Sequence, residues 1–313
     1  MKNSSNWRGF VFAATICLFP GPRSLATAQQ FDARNATVAD LWTHVLATNR
    51  IWLEPEPNHL SYVVTCIPAE SEERLTKTVN RVSLATDQAR WEMEVQRPNE
   101  DEILMSYVLV VDGDGEQYLK SPREELVGVS RPARNIHPLR QGITWRTSLH
   151  ILAEQGLPGE TEIVERREVN GGHVLVFECD LGKNRCDVGI GLYHSFKGQA
   201  RFNAETVRVH VKTPEFIPLK EEFLSHNVTI EYSPEFISFG EQRAPHTIRH
   251  VSTLFTDGTP WILEAQFQAI DNVWLLRKAF NIQHGKPIVE MVVKDASTAA
   301  VDKALFAIPD ALD

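Results

Sequence analysis

His246 and His250, four residues apart, are the first pair in this chain whose spacing could do chemistry. On a helix that spacing puts two imidazoles on one face, where they can hold zinc. Here Thr247-Ile248-Arg249 and the following Val251-Ser252-Thr253-Leu254-Phe255 read as strand, in which four residues span roughly 13 Å. No Glu completes an H-E-x-x-H pattern. Cys179, Cys186 and His194 form a second imaginable metal set, which a hairpin disulfide between the two cysteines explains more simply. Ser195 follows His194, but adjacent side chains on a strand face opposite ways, so the two do not form a nucleophile–base pair. There is no G-x-S-x-G elbow and no P-loop. Gly189-Ile190-Gly191 lacks the third glycine and the strand–helix setting of a dinucleotide fingerprint. Acidic residues are abundant but dispersed, so no carboxylate pair suited to glycoside hydrolysis can be picked out. No catalytic residue, metal or cofactor is expected, and the pattern points to a binding protein.

The elements that would position a binding surface are legible. Around 261–294, Leu263, Ala265, Phe267 and Ala269 alternate with Ile262, Glu264, Gln266 and Gln268. Asp271-Asn272 then supplies a turn. Trp274, Leu276, Phe280 and Ile282 alternate with Arg277, Ala279, Asn281 and Gln283. His284-Gly285-Lys286-Pro287 turns the chain again before Val289, Met291 and Val293. Period-two alternation with turn residues between runs predicts half-buried antiparallel strands. The same pattern recurs at 88–96, where Trp91, Met93 and Val95 share a face, and at 103–111, apolar on both faces. It recurs again at 161–169 and 174–179 around Asn170-Gly171-Gly172, and at 205–212, 228–232 and 247–255. Asp112-Gly113-Asp114-Gly115 reads as a hairpin turn, since it lacks the ligand spacing and closing Glu of a calcium loop.

Two helices are expected. One covers 37–50, capped by Thr37, with Val38, Leu41, Trp42, Val45 and Leu46 as an apolar stripe. The other covers 145–155, with Trp145, Leu149 and Leu152 on one face and Gly156-Leu157-Pro158-Gly159 stopping it. That second face packs into the core or closes as a lid over an apolar cavity.

Residues 1–28 read as a signal peptide. Lys2 and Arg8 make a positive start, Gly9 to Leu18 an apolar stretch, and Ala26-Thr27-Ala28 a cleavage site. The mature chain is then 29–313, periplasmic or secreted. No later stretch is long and apolar enough to be a transmembrane helix. The full chain has 32 basic and 41 acidic residues. Removing the segment's three basic residues leaves 29 against 41, a balance of −12 that argues against nucleic acid and anionic membrane surfaces as partners. In an oxidising compartment Cys179 and Cys186 could pair, or stand as two separate thiols. Cys66 then has no partner. Residues 121–144 are punctuated by Pro122, Pro132 and Pro138, with Arg131, Arg134 and Arg140 among clustered basic residues. The stretch is either a plain basic loop or a docking surface for an acidic partner.

In order and pattern the chain resembles the LolA/RseB superfamily of exported lipoprotein carriers and sensors. The likeness is carried by Val38-Ala39-Asp40-Leu41-Trp42 on the first helix, by Tyr107 to Tyr118 around the Asp112–Gly115 turn, and by Val207-Arg208-Val209-His210-Val211-Lys212-Thr213-Pro214 leading to Ile217-Pro218-Leu219-Lys220. At the end it rests on Trp274 to Ile282, Gly285-Lys286-Pro287 and Leu305-Phe306-Ala307-Ile308-Pro309. It implies a mainly antiparallel β (α+β) fold, a curved half-barrel sheet covered by helices, formed as a single domain over 29–313. Insertions around 121–146 or 180–203, or an added sub-domain, would absorb its extra length. It also implies an apolar cavity for lipid or lipoprotein acyl chains, with Trp91, Met93, Val95, Met105, Trp145 and Leu149 as lining candidates. The alternatives are a structural or sensing module that binds a protein partner, and a secreted hydrolase without a recognisable motif.

Overall fold

The computed structural model describes residues 36–53, 58–68, 76–85, 88–97, 103–111, 117–120, 126–129, 145–181, 185–190, 199–203, 206–240, 242–253 and 258–307. The signal-peptide reading, the Asp112–Gly115 turn, His194, Ser195, Arg131, Arg134 and Arg140 lie outside these residues.

Strand follows strand for most of the chain. In order they are β1 (Leu60–Pro68), β2 (Lys77–Leu84), β3 (Ala89–Gln96), β4 (Ile103–Val111), β5 (Gln117–Lys120), β6 (Leu126–Val129), β7 (Trp145–Arg146), β8 (Glu162–Val169), β9 (Gly172–Asp180) and β10 (Arg185–Ile190). Then come β11 (Gln199–Asn203), β12 (Thr206–Thr213), β13 (Ile217–Phe223), β14 (Val228–Tyr232), β15 (Phe236–Phe239), β16 (Gln242–Pro245), β17 (Thr247–Ser252), β18 (Trp261–Ile270), β19 (Val273–Gln283) and β20 (Lys286–Ser297). Fifteen of them form one curved antiparallel sheet in the order β6-β5-β4-β3-β2-β1-β20-β19-β18-β17-β14-β13-β12-β9-β8. It does not close into a barrel. The 261–294 stretch supplies β18, β19 and β20 at its centre, joined by turns whose residues Asp271, Asn272, His284 and Gly285 all have positive φ. Tight two-residue hairpins need that backbone hand, and Asn, Asp and Gly reach it most cheaply.

The facing of β19 departs from simple alternation. Phe267 pairs with Leu276, whereas Gln266 pairs with Lys278, so Arg277 is an extra residue in the ladder. This bulge shifts the face by one. Trp274 and Leu276 point inward, and beyond Arg277 it is Ala279 and Asn281 that are buried, not Phe280 and Ile282.

Helix α1 (Val38–Leu53) has a reciprocal cap: Asp40 N–H donates to Thr37 Oγ1 at 3.2 Å, and Thr37 N–H to Asp40 Oδ2 at 3.3 Å. Its buried stripe is Leu41, Trp42, Val45, Asn49, Trp52 and Leu53. Helix α2 (Ser148–Gln155) starts three residues later than expected, because Trp145 and Arg146 pair as strand β7 with Ile190 and Gly189. A 3-10 turn (Lys303–Phe306) lies by β3, where Arg90 Nη1 donates to the Leu305 carbonyl at 3.1 Å.

The expectation of a sheet covered by helices is corrected. The inner face receives two helices only among the described residues, and α1 packs on β13, β16 and β19 rather than across the sheet. The rest of the central cover is the β15–β16 hairpin, whose Ala244 is fully buried and whose Pro245 carbonyl accepts from Trp274 Nε1 at 2.9 Å. The small sheet β11-β10-β7 flanks α2.

Candidate functional site

Directly paired residues of a sheet share a face, so the pairing register maps the inner surface. One row runs Ile248, Ala265, Ala279, Met291, Cys66, Thr78, Val95, Met105 across eight strands from β17 to β4. A second passes through Val293, Val64 and Met93, and a third through Tyr62, Val82 and Trp91. Trp91, Met93, Val95 and Met105 are thereby brought together on the inner face of β3 and β4. Their burial fades outward. Met291, Cys66 and Thr78 are buried, Val95 is half-buried, and Met105 is 41% exposed. Leu149 stands apart from them, fully buried on α2. The side chains of Trp145 and Cys186 lie outside the described residues.

The central part of the same face is closed. Trp52 of α1 meets Trp274 at 5.7 Å and Tyr232 at 5.8 Å between ring centroids, and Trp274 stacks on Phe267 at 3.7 Å. Asn49, fully buried, donates to the Phe216 carbonyl at 2.9 Å and accepts from Trp52 Nε1 at 3.0 Å. Phe216 has a φ of 51°, a conformation an aromatic residue seldom adopts, and Asn49 ties it down.

A buried polar knot fastens α2 to the sheet. Ser148 donates to Glu221 Oε2 from its backbone N–H at 2.9 Å and from its hydroxyl at 2.5 Å. Tyr232 donates its hydroxyl to Glu221 Oε1. Thr147 N–H donates to His150 Nδ1 at 3.0 Å, so the proton of a neutral His150 is on Nε2, which faces the Trp52 carbonyl at 3.1 Å. Burial raises the Glu221 carboxyl above its ordinary 4.5, against the pull of the Ser148 and Tyr232 bonds. Burial, then the adjacent Glu221, raises Tyr232 well above 10. A Ser, a His and a Glu are thus neighbours, but His150 is committed to two backbone groups and Ser148 bonds directly to Glu221. The imidazole is not the group that meets the hydroxyl, and the bonds of Ser148 and Tyr232 to Glu221 fasten α2 to β13 and β14.

Sequence reasoning missed Glu221. The signal was present: counting back two from the apolar Phe223 puts Glu221 on the same, inner, face of β13. Cys179 is a buried free thiol whose pKa burial pushes up to about 12. His246 bonds Thr247 through Nδ1 and Oγ1 at 3.0 Å, whereas His250 is fully buried. Beyond the C-terminal end of α2 a cleft of about 350 Å³ is lined by Gln155, Gly156, Leu157, Pro158, Glu160 and Asp180, among others. It contains none of the residues above.

No family model and no curated protein matches the chain. Solved structures do match over most of its length. It is similar to a LolA superfamily protein from Nitrosomonas europaea, at 11% identity over 87% of this chain and 99% of that one, with a TM-score of 0.34. It is also similar to LprF from Mycobacterium bovis, at 12% identity over 84% and 95%, TM-score 0.27. A third match is MucB in complex with MucA(peri), at 10% identity over 82% and 93%, TM-score 0.15.

Proposed function

We propose that this is an exported, non-enzymatic binding protein, a single domain over 29–313, that holds an apolar ligand against the inner face of β3 and β4. The ligand is an acyl chain of a lipid or lipoprotein. The supporting observation is the fading burial along the inner rows, from the closed centre at Met291 and Cys66 to half-buried Val95 and exposed Met105. Trp91 and Met93 lie beside them, half-buried, on the same face. α1 packs elsewhere, on β13, β16 and β19. An acyl chain lying there removes apolar surface from water at about 25 cal/mol per Å², enough for micromolar affinity after the cost of association. No covalent step is involved. A fluorescent fatty-acid analogue titrated into the protein tests this: saturable binding, weakened about tenfold by Val95→Asp, is expected. No binding, together with no lipid after gentle extraction, would sink it.

One observation favours a second reading, a module that binds a protein partner. Ile103, Leu104 and Met105 are 52%, 42% and 41% exposed in succession, so the start of β4 shows apolar side chains on both faces. Among the described residues β5 pairs with Val108 to Val111, beyond this apolar start. Ile103 pairs with Gln96 and faces outward. Ile103→Asp should spare probe binding under the carrier reading and weaken complex formation under the partner reading. In either case Arg131, Arg134 and Arg140 are the proposed docking residues for an acidic partner.

A further inference from the structure

Most buried polar side chains of the inner face are partnered. Glu221 has Ser148 and Tyr232, Asn49 has Phe216 and Trp52, and Asn281 Oδ1 accepts from Trp261 Nε1 at 2.7 Å. His250 is an exception. It is fully buried, and neither Nδ1 nor Nε2 has a hydrogen-bond partner. Ser252, two residues on along β17 and so on the same face, is also buried with its hydroxyl unpartnered. Three orphan polar atoms thus lie together on one strand. A folded chain rarely leaves buried donors and acceptors unmet unless something else meets them.

The surroundings define what that something is. Ile230 and Leu263 pair with His250 on either side, and Val228 and Trp261 pair with Ser252. Trp261 stands edge-on to the imidazole, 5.3 Å between centroids at 82°. Its indole N–H is spent on Asn281, so towards this site Trp261 is an apolar wall. Among the described residues no cation stands in these rows: Arg249 points outward to Glu231 at 3.2 Å and Glu264 at 3.4 Å. The nearest acid in the row, Glu221, lies beyond Ile230 and is occupied. The end of the strand is near solvent. Thr253 is exposed, and Leu224, 46% exposed in the β13–β14 turn, borders the same end.

We infer that His250 and Ser252 form a binding site for an uncharged, carbonyl-bearing group, an ester or amide, whose apolar remainder lies against Val228, Ile230, Leu263 and Trp261. The imidazole N–H and the Ser252 hydroxyl donate to the carbonyl oxygen. An ionised carboxylate or phosphate would be buried with no cation to meet it and is rejected. Six strand spacings of roughly 4.8 Å separate β17 from β3, so this site is distinct from the apolar surface at Val95 and does not depend on it.

The test uses the full chain and two small probes, methyl octanoate and octanoate, each carbon-13 labelled at its carbonyl carbon. Infrared titration at pH 8 should show the ester carbonyl band moving to lower frequency as it binds, with octanoate binding at least tenfold more weakly. Ser252→Ala, a nearly isosteric change expected to fold, should weaken the ester about tenfold, and His250→Phe should abolish the band shift while keeping the apolar contact. No shift with the parent protein, an ester affinity unchanged in Ser252→Ala, or equal binding of ester and acid would overturn the assignment. Unchanged nitrogen-15 resonances of the His250 ring on adding ester would mean that water alone satisfies these atoms, and would overturn it too. Loss of ester binding with fatty-acid probe binding intact would leave the carrier reading standing.

Discussion

His150 of α2 donates its Nε2–H to the carbonyl of Trp52, 3.1 Å away in the last turn of α1, and so joins the two helices of the inner face end to start. The same ring accepts the Thr147 N–H through Nδ1, closing the start of α2 as well. One neutral imidazole therefore satisfies an orphan carbonyl of one helix and an orphan N–H of the other. His150→Ala should cost about 2–3 kcal/mol, the sum expected for leaving both buried groups unmet. Hydrogen exchange should show lost protection over 148–152 with β17 to β20 unchanged. Protection unchanged over 148–152 would show that the bond does not secure α2.

Glu221 gives the fold a pH dependence of definite sign. Its folded pKa lies above the ordinary 4.5, raised by burial. The folded state therefore holds the proton more tightly than the unfolded one. The corresponding stability is fully present below 4.5 and is lost as pH rises through the folded pKa. Glu221→Gln cannot ionise. The variant should lose less melting temperature than the parent between pH 5 and pH 8. Parallel thermal-melt profiles for the two proteins would refute this.

His250 acts at the opposite end. Burial lowers its pKa from 6.5 to about 4, so the unfolded chain takes up a proton that the folded one refuses. Its contribution is fully present above 6.5 and is lost as pH falls towards 4. The shift corresponds to roughly 3 kcal/mol at most. His250→Phe should remove this acid-side loss while leaving the alkaline-side slope of Glu221 in place, as read by denaturant unfolding at pH 4.5 and 7.5.

How much of this was visible in the sequence depends on what each residue answers to. The Asp271-Asn272 and His284-Gly285 turns were legible because the backbone hand of a two-residue hairpin selects those residue types locally. The inner-face grouping of Trp91, Met93 and Val95 was legible because period two fixes a face within one strand. The shift at Arg277 was not, since a bulge is decided by the partner strand and leaves no mark in the hydrophobic pattern. Nor was the cover of the sheet, because an amphipathic helix does not record which strands it meets. α1 answers to β13, β16 and β19, and β3 and β4 lie well away from them. Trp145 fitted a helical face yet pairs in β7, a tertiary choice that overrides local preference. Glu221 and His250 were hidden for a related reason: a polar residue at an inward position looks like noise until its partners, or their absence, are seen.

Cys179 should be chemically silent in the folded protein. Burial lifts its pKa to about 12, so at pH 8 very little of it is thiolate, the reactive form. A colorimetric disulfide reagent should leave it unmodified in native buffer and react with it fully in denaturant. Mass spectrometry without reductant tests at the same time the Cys179–Cys186 pairing that the sequence left open. A mass two protons lighter without reductant would establish the pairing, and three modifiable thiols after unfolding would reject it.

Trp274 is the residue on which the closed centre depends. It is fully buried, stacks on Phe267, meets Trp52 across the helix–sheet interface, and ties the β15–β16 hairpin down through its bond to the Pro245 carbonyl. Trp274→Ala should cost about 3–5 kcal/mol, for the lost burial and for the cavity left behind. Trp274→Phe keeps most of the volume but leaves the Pro245 carbonyl unmet, and should cost about 1–3 kcal/mol. The gap between the two variants in urea midpoint measures packing, and the residual loss in Trp274→Phe measures the hydrogen bond. The apolar surface at Trp91, Met93 and Val95 is several strands away, so probe binding at a temperature where Trp274→Phe remains folded should stay within about twofold of the parent, as expected for independent sites. A large loss of binding in that variant would mean that ligand and closed centre share one packed unit, and that the proposed site extends inward past Met291.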